Sequence, residues 1–279
     1  MGSAAEPAVL IVPQWQGSSA AAPKLLVDGA YGSARLLRAG LAVAVPAEDP
    51  APDALVRNAA AVRDRLAGTA PDQVVVTLGG DCGVELEPVA AAVGRYGTDL
   101  AVVWLDAHGD LNTPEESPSG AFHGMVLRTL LGAGPVELLP PADRRLSPDQ
   151  VVLGGTRALD AGERAYIGAH GVRTIPVAAL AGPEALAEAV AATGAAHLYV
   201  HVDLDVMDPH EFDGLSYPEP DGITAAQLCA AVAALAARFT LVGLGVTEHA
   251  PSGDAAAAEA DAQVLRDLFT AAGLGALLR

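Results

Sequence analysis

A chain of 279 residues, 51% of them hydrophobic, can bury a sizeable core, while a net charge of −18 with no basic cluster excludes a nucleic-acid footprint, because so acidic a surface repels phosphate backbones. Two cysteines, Cys82 and Cys229, are too few for a disulfide framework and point to a reduced, cytoplasmic setting. The opening MGSAAEPAVLIVPQ lacks a basic segment ahead of a long apolar run, and no stretch is long enough to span a bilayer, so neither a signal peptide nor a membrane anchor is expected.

Short β-branched runs recur along the chain, and each predicts a strand. AVLIVPQ (8–14) and LAVAVP (41–46) come first. PDALVRNAAAVRDRLAG (52–68) then spaces apolar residues three and four apart, with a polar back and a closing Gly, as a helix does. QVVVTLGG (73–80), LAVVWLDAH (100–108), QVVLGGT (150–156) and VRTIPV (172–177) are further strands. GPEALAEAVAATG (182–194) is a helix and HLYVHVDLDV (197–206) a strand. TAAQLCAAVAALAARF (224–239) is a helix opening on a Thr cap, and FTLVGLGVTE (239–248) is the last strand. Several of these strands are apolar at nearly every position, as strands buried on both faces must be. Strands alternating with helices predict an α/β fold with a parallel sheet covered on both sides. No repeat or long linker interrupts the pattern, so one domain over residues 1–279 is expected.

Ligands of such sheets bind beyond the carboxyl ends of the strands. Polar residues gather at five of those ends: after Leu78, after Leu105, after Gly155, within HVDLDVMDP, and after Val246. Asp106, His108 and Asp110 alternate as one strand leaves the sheet, and a period of two would aim all three at one point. Asp203 and Asp205 repeat the pattern. Singly, each is an ordinary capping or turn aspartate. Together, four carboxylates on neighbouring strand ends repel one another unless cations lie between them. An oxygen-rich set with one imidazole suits Mn²⁺, and there are donors enough for two ions.

In order and spacing these motifs resemble those of the ureohydrolase family of arginase and agmatinase. GGDC resembles the family's Gly-Gly-Asp-His, DAHGDLN its Asp-Ala-His-x-Asp-x-Asn, DLDVMDP its Asp-x-Asp-x-x-Asp-Pro, and VTEHAP its last, Glu-containing motif. The resemblance implies a three-layer α/β/α, arginase-like fold and a binuclear manganese cluster. Cys82, Asp106, Asp110 and Asp203 would hold one ion, and His108, Asp106, Asp203 and Asp205 the other. The pair would acidify a water for attack on a guanidinium carbon. By the same resemblance Glu248 orients the guanidinium, Asp110 passes a proton to the leaving amine, and His123 shuttles protons at the cleft mouth. Asn112 and Ser119 match the arginase branch's carboxylate-binding pair, with Ser117 a helping hydroxyl. Asp160 matches its amino-binding carboxylate and Glu163 a water-mediated helper, although Asp160 also reads as the N-cap of the helix beginning AGERAYIG. These matches favour a small guanidino amino acid over an agmatine-type substrate. The family often forms trimers or hexamers, so a homo-oligomer is possible, but AAGLGALLR closes the chain too soon for assembly through a long tail.

Two positions depart from the family pattern. Cys82 stands where the family has a metal-binding histidine. A lone cysteine is usually inert core, and Cys229 reads that way, but the motif around Cys82 points to a ligand. Tyr217, in LSYPEP, stands where the family usually has a small hydroxyl residue near the guanidino end of the substrate, and it would reshape that end of the pocket. A thiolate makes the site more negative and softer than an imidazole does, so bound water should be less acidic and arginine attacked slowly. A hydroxylated guanidine is a better electrophile. The family includes a Cys-bearing branch that hydrolyses Nω-hydroxy-L-arginine to hydroxyurea and ornithine for antibiotic biosynthesis, and this chain resembles it at position 82. The expectation is therefore a manganese-dependent hydroxyarginine hydrolase. An arginase or other guanidino-acid hydrolase, or a non-catalytic metal-binding relative, are the alternatives.

Overall fold

The computed structural model describes residues 6–38, 41–42 and 53–279. Among them eight strands form one sheet: β1 Ala8–Val12, β2 Leu41–Ala42, β3 Val75–Gly79, β4 Leu100–Leu105, β5 Val151–Gly154, β6 Arg173–Ile175, β7 His197–Asp203 and β8 Thr240–Thr247. Their order is β2-β1-β3-β8-β7-β4-β5-β6, and every pairing is parallel. Each predicted strand appears, though residues 43–46 of LAVAVP lie outside the described residues. Eight helices accompany them: α1 Leu25–Arg35, α2 Asp53–Leu66, α3 Leu86–Tyr96, α4 Val126–Leu130, α5 Ala161–His170, α6 Glu184–Ala191, α7 Ala225–Arg238 and α8 Ala255–Ala271.

The strand period shows why the sheet is apolar throughout. Ala101, Val103 and Leu105 of β4 point into one core with Leu186 and Val190 of α6, Val232 of α7 and Phe269 of α8. Leu100, Val102 and Trp104 point the other way, into a core with Val89 and Val93 of α3 and Leu127 of α4. Leu10, Val12 and Val75 meet Val62 and Leu66 of α2 on that side in a smaller cluster. Helices thus cover both faces, and the fold is the three-layer α/β/α sandwich. No described helix is long and apolar enough to cross a membrane.

The central strands β3, β8, β7 and β4 are adjacent, so four of the five polar strand ends sit side by side, with β5 next along. The Gly-Gly turn after β3 is tight for a steric reason. A Cβ on Gly80 would lie 1.6 Å from the Gln14 carbonyl oxygen, and Gly80 N donates to Val12 O at 3.0 Å. That close approach turns Asp81 and Cys82 inward.

Candidate active site

Cys82 opens a 3₁₀ turn, Cys82–Glu85, and is buried. Its Sγ lies 3.2 Å from Asp203 Oδ2, 3.4 Å from Thr247 Oγ1 and 3.8 Å from His201 Nε2. The thiol therefore faces the carboxylate cluster. Burial first, then the charges of Asp203, Asp110, Glu248 and Asp106, push its pKa well above the usual thiol range, so the free site favours the neutral thiol. A bound cation reverses that preference.

Asp106, His108 and Asp110 converge by a route other than strand period. β4 ends at Leu105, and the chain leaves as an irregular loop in which Asp110 has φ 51°. Asp106 and His108 join Asp205: His108 Nδ1 is 2.9 Å from Asp205 Oδ2, and Asp205 Oδ1 accepts from Ala107 N at 3.0 Å. The left-handed residue swings Asp110 towards Cys82 instead. Glu248 is also left-handed, at φ 61°, and its N donates to Gly80 O at 2.8 Å. Strained backbone at two carboxylates marks a site held by its surroundings.

Donor atoms fall into three groups whose members lie within 4.8 Å of one another: Cys82, Asp106, Asp110 and His201; Cys82, Asp203 and Glu248; and Asp106, His108 and Asp205. They fit divalent cations. Asp110 Oδ2 is buried with no hydrogen-bond partner among the described residues. Burial, then the Asp205 charge, pushes Asp106 up to about 7, and burial with carboxylate repulsion raises Asp110 and Asp203 well above their usual range. Burial alone would lower His108, but Asp106 and Asp205 hold it high. Cations between these groups would relieve that repulsion.

Above the cluster opens a polar cleft. Asp110, Asn112, Ser119, His123, Asp160, Glu163, Tyr217 and Glu248 line it, with His108, Asp203 and Asp205 at its floor. Cys82, Asp106 and Ser117 do not line the cleft; Ser117 Oγ lies 3.4 Å from the Oγ of Ser119, which does. Asn112 Nδ2 donates to Asp160 Oδ2 at 2.8 Å. Asp160 has the extended backbone of an N-cap to α5, and Glu163 Oε2 accepts from its N at 2.8 Å. The other Glu163 oxygen accepts from Leu111 N at 3.0 Å, so Glu163 fixes the loop carrying Asp110 and Asn112. His123 Nδ1 is 3.3 Å from Glu248 Oε1 at the mouth. Burial lowers the His123 pKa and the hydrogen bond and charge of Glu248 raise it, with a net rise.

Five residues with roles here escaped the sequence reading. Asp81 accepts from Gln14 Nε2 and Gly17 N, each at 2.8 Å, and so ties residues 14–17 to the site. Burial, then the Glu248 charge, pushes Asp81 up to about 6. Ser19 Oγ meets Tyr217 Oη at 2.8 Å across the mouth. Ser216 Oγ donates to Glu248 Oε2. The small hydroxyl expected at 217 is thus supplied one residue earlier, which frees Tyr217 to close the mouth. His201 enters the donor cluster in the place expected of Asp203, and counting back two from Asp203 along β7 would have found it. Glu85 lies 3.6 Å from His201 Nδ1 through Oε2.

Residues 32–270 match the arginase family model. The chain belongs to the arginase family. Arginase of Staphylococcus aureus (strain MRSA252) is 37% identical over 155 residues, 53% of this chain and 51% of that one, so the match spans about half of that relative. An N(omega)-hydroxy-L-arginine amidinohydrolase of Streptomyces lavendulae is 35% identical over 202 residues, 72% of this chain and 70% of its own. The crystal structure of Bacillus cereus arginase superposes with a TM-score of 0.82 at 25% identity, covering 98% of this chain and 99% of that one. Arginase-family folds and this one therefore share the sheet and its helical cover.

Proposed function

We propose that this chain is a binuclear-metal hydrolase of a guanidino amino acid, converting Nω-hydroxy-L-arginine to hydroxyurea and L-ornithine faster than it converts arginine to urea. The observation that carries the reading is the Cys82 thiol inside the donor cluster, 3.2 Å from Asp203 Oδ2. A thiolate there suits an electrophile more reactive than arginine's guanidinium. Asp106, His108, Asp110, Asp203 and Asp205 would complete the ligand set for two Mn²⁺ ions, which when bound supply Lewis acidity and an activated water.

The chain's own groups orient and move protons. Glu248, fixed by Ser216 and by Cys82 N at 3.1 Å, presents its carboxylate to the planar guanidino group. Asp110 hands a proton to the leaving nitrogen. His123, between Glu248 and Ser19, exchanges protons with solvent. Asp160 and Asn112, with Ser119, hold the α-amino and α-carboxylate ends. Tyr217 and Ser19 exclude water from the mouth.

Reconstitution with manganese tests this directly. Elemental analysis should approach two ions per chain, and hydroxyurea should form from hydroxyarginine with a higher kcat/KM than urea from arginine. A preference for arginine would make the chain an arginase. A chain that binds metal and turns over neither substrate would be a non-catalytic relative.

A further inference from the structure

We propose that His201 is a metal ligand, delivering from β7 the imidazole that position 82 lacks. The inference rests on the binuclear reading above and adds a donor to it. His201 and Asp203 lie two apart on β7, so both project from the same face of the strand. His201 is fully buried. Its Nε2 has Cys82 Sγ 3.8 Å away, and its Nδ1 has no hydrogen-bond partner among the described residues. A histidine that merely fills a core satisfies its ring nitrogens, because a buried unpaired polar group is destabilising.

The spacing fits an ion between the two donors. Usual lengths of about 2.3 Å to sulfur and about 2.1 Å to nitrogen set tetrahedral donors about 3.6 Å apart. Asp106 and Asp110 present oxygens to the same point. With Nε2 bonded, the proton sits on Nδ1, which faces Glu85 Oε2 at 3.6 Å. A carboxylate behind a ligating imidazole is the usual device for fixing its tautomer. The ring is held ready. It stacks on Trp104 with centroids 3.6 Å apart and planes at 18°, and Trp104 Nε1 donates to Asp106 Oδ2 at 3.1 Å. One thiolate, one imidazole and two carboxylates make a softer set than an all-oxygen one, so this ion position should favour Co²⁺ or Zn²⁺ more than its neighbour does.

The full chain loaded with cobalt(II) decides the matter. Proton NMR in water should show two strongly shifted imidazole N–H signals, from His108 and from buried His201. His201→Phe keeps a ring against Trp104; it should remove one signal and weaken one cobalt by at least about tenfold. A wild type that shows a single signal, unchanged by His201→Phe and with both cobalt ions bound as tightly as before, would leave His201 a packing residue and the binuclear reading intact. Wild-type protein that binds no cobalt would sink both. Should His201→Phe fail to fold, the number of signals in the wild type still decides.

Discussion

Asp160 carries a charge at the edge of the cleft and also begins α5, and one substitution separates these duties. Asn caps a helix about as well as Asp, so Asp160→Asn should leave Tm unchanged. It removes the charge offered to an α-ammonium group, and a charge-assisted hydrogen bond is worth about 1.5–3 kcal/mol, so KM should rise roughly ten- to hundredfold. Unchanged KM together with unchanged Tm would reduce Asp160 to a cap. Cys82 is tested by Cys82→His. A neutral imidazole makes the site less negative and the activated water more acidic, so kcat/KM for arginine should rise relative to hydroxyarginine, and manganese should bind more tightly. The ratio is the quantity to measure, because active-enzyme fraction cancels in it. A ratio that does not move shifts selectivity to pocket shape, with Tyr217, tied to Ser19 across the mouth, the first residue to replace.

The turn after β3 places Glu85 within the sandwich, against Gly245 of β8, where a Cβ would lie 2.1 Å from Glu85 Oε2. Burial pushes Glu85 up to about 8 from an ordinary 4.5. Below about 4.5 both folded and unfolded chains hold the proton. Between 4.5 and 8 the unfolded chain releases it and the folded one keeps it, so stability falls as pH rises, by up to about 1.4 kcal/mol per pH unit. Glu85→Gln lacks this titration. In metal-free protein, urea unfolding at pH 5 should barely separate the two, whereas at pH 8 the Gln variant should be clearly more stable. Parallel pH curves would place an ionised Glu85 in the core and refute the shift. Glu85 also marks where the sequence becomes hard to read. The strands were legible because both faces are apolar, and α2, α6 and α7 because their periodicity is strong. The carboxylate and histidine motifs that converge on the cleft were legible because they cluster at strand ends. The 106–112 loop was not, since Asp110 depends on a left-handed backbone rather than on strand period. Ser216 was missed because the small hydroxyl arrives one residue before the position the family pattern names, and Ser19 because the N-terminal loop reaches the mouth through contacts distant in sequence, such as Gly17 with Asp81 and His123.

At the scale of the whole molecule, the excess of 34 acidic over 16 basic residues surrounds a cleft that admits a cation. Glu115 and Glu116 are exposed on the loop that carries Asn112 and Ser119, and Glu219 lies 3.8 Å from His108 Nε2. Such a field raises the local concentration of a guanidinium ligand and speeds its capture. Salt screens the field over about 10 Å at 0.1 M and about 3 Å at 1 M. With manganese saturating, kcat/KM for arginine should therefore fall roughly three- to tenfold between 10 mM and 0.5 M salt, within the range known for steered association. The kcat should hold, because the buried carboxylates and His123 are shielded from bulk ions. A parallel fall in kcat would mean that salt acts on the metal site. A flat kcat/KM would mean that Glu248 and Asp160, inside the cleft, do all the electrostatic recognition and that the acidic surface serves solubility alone.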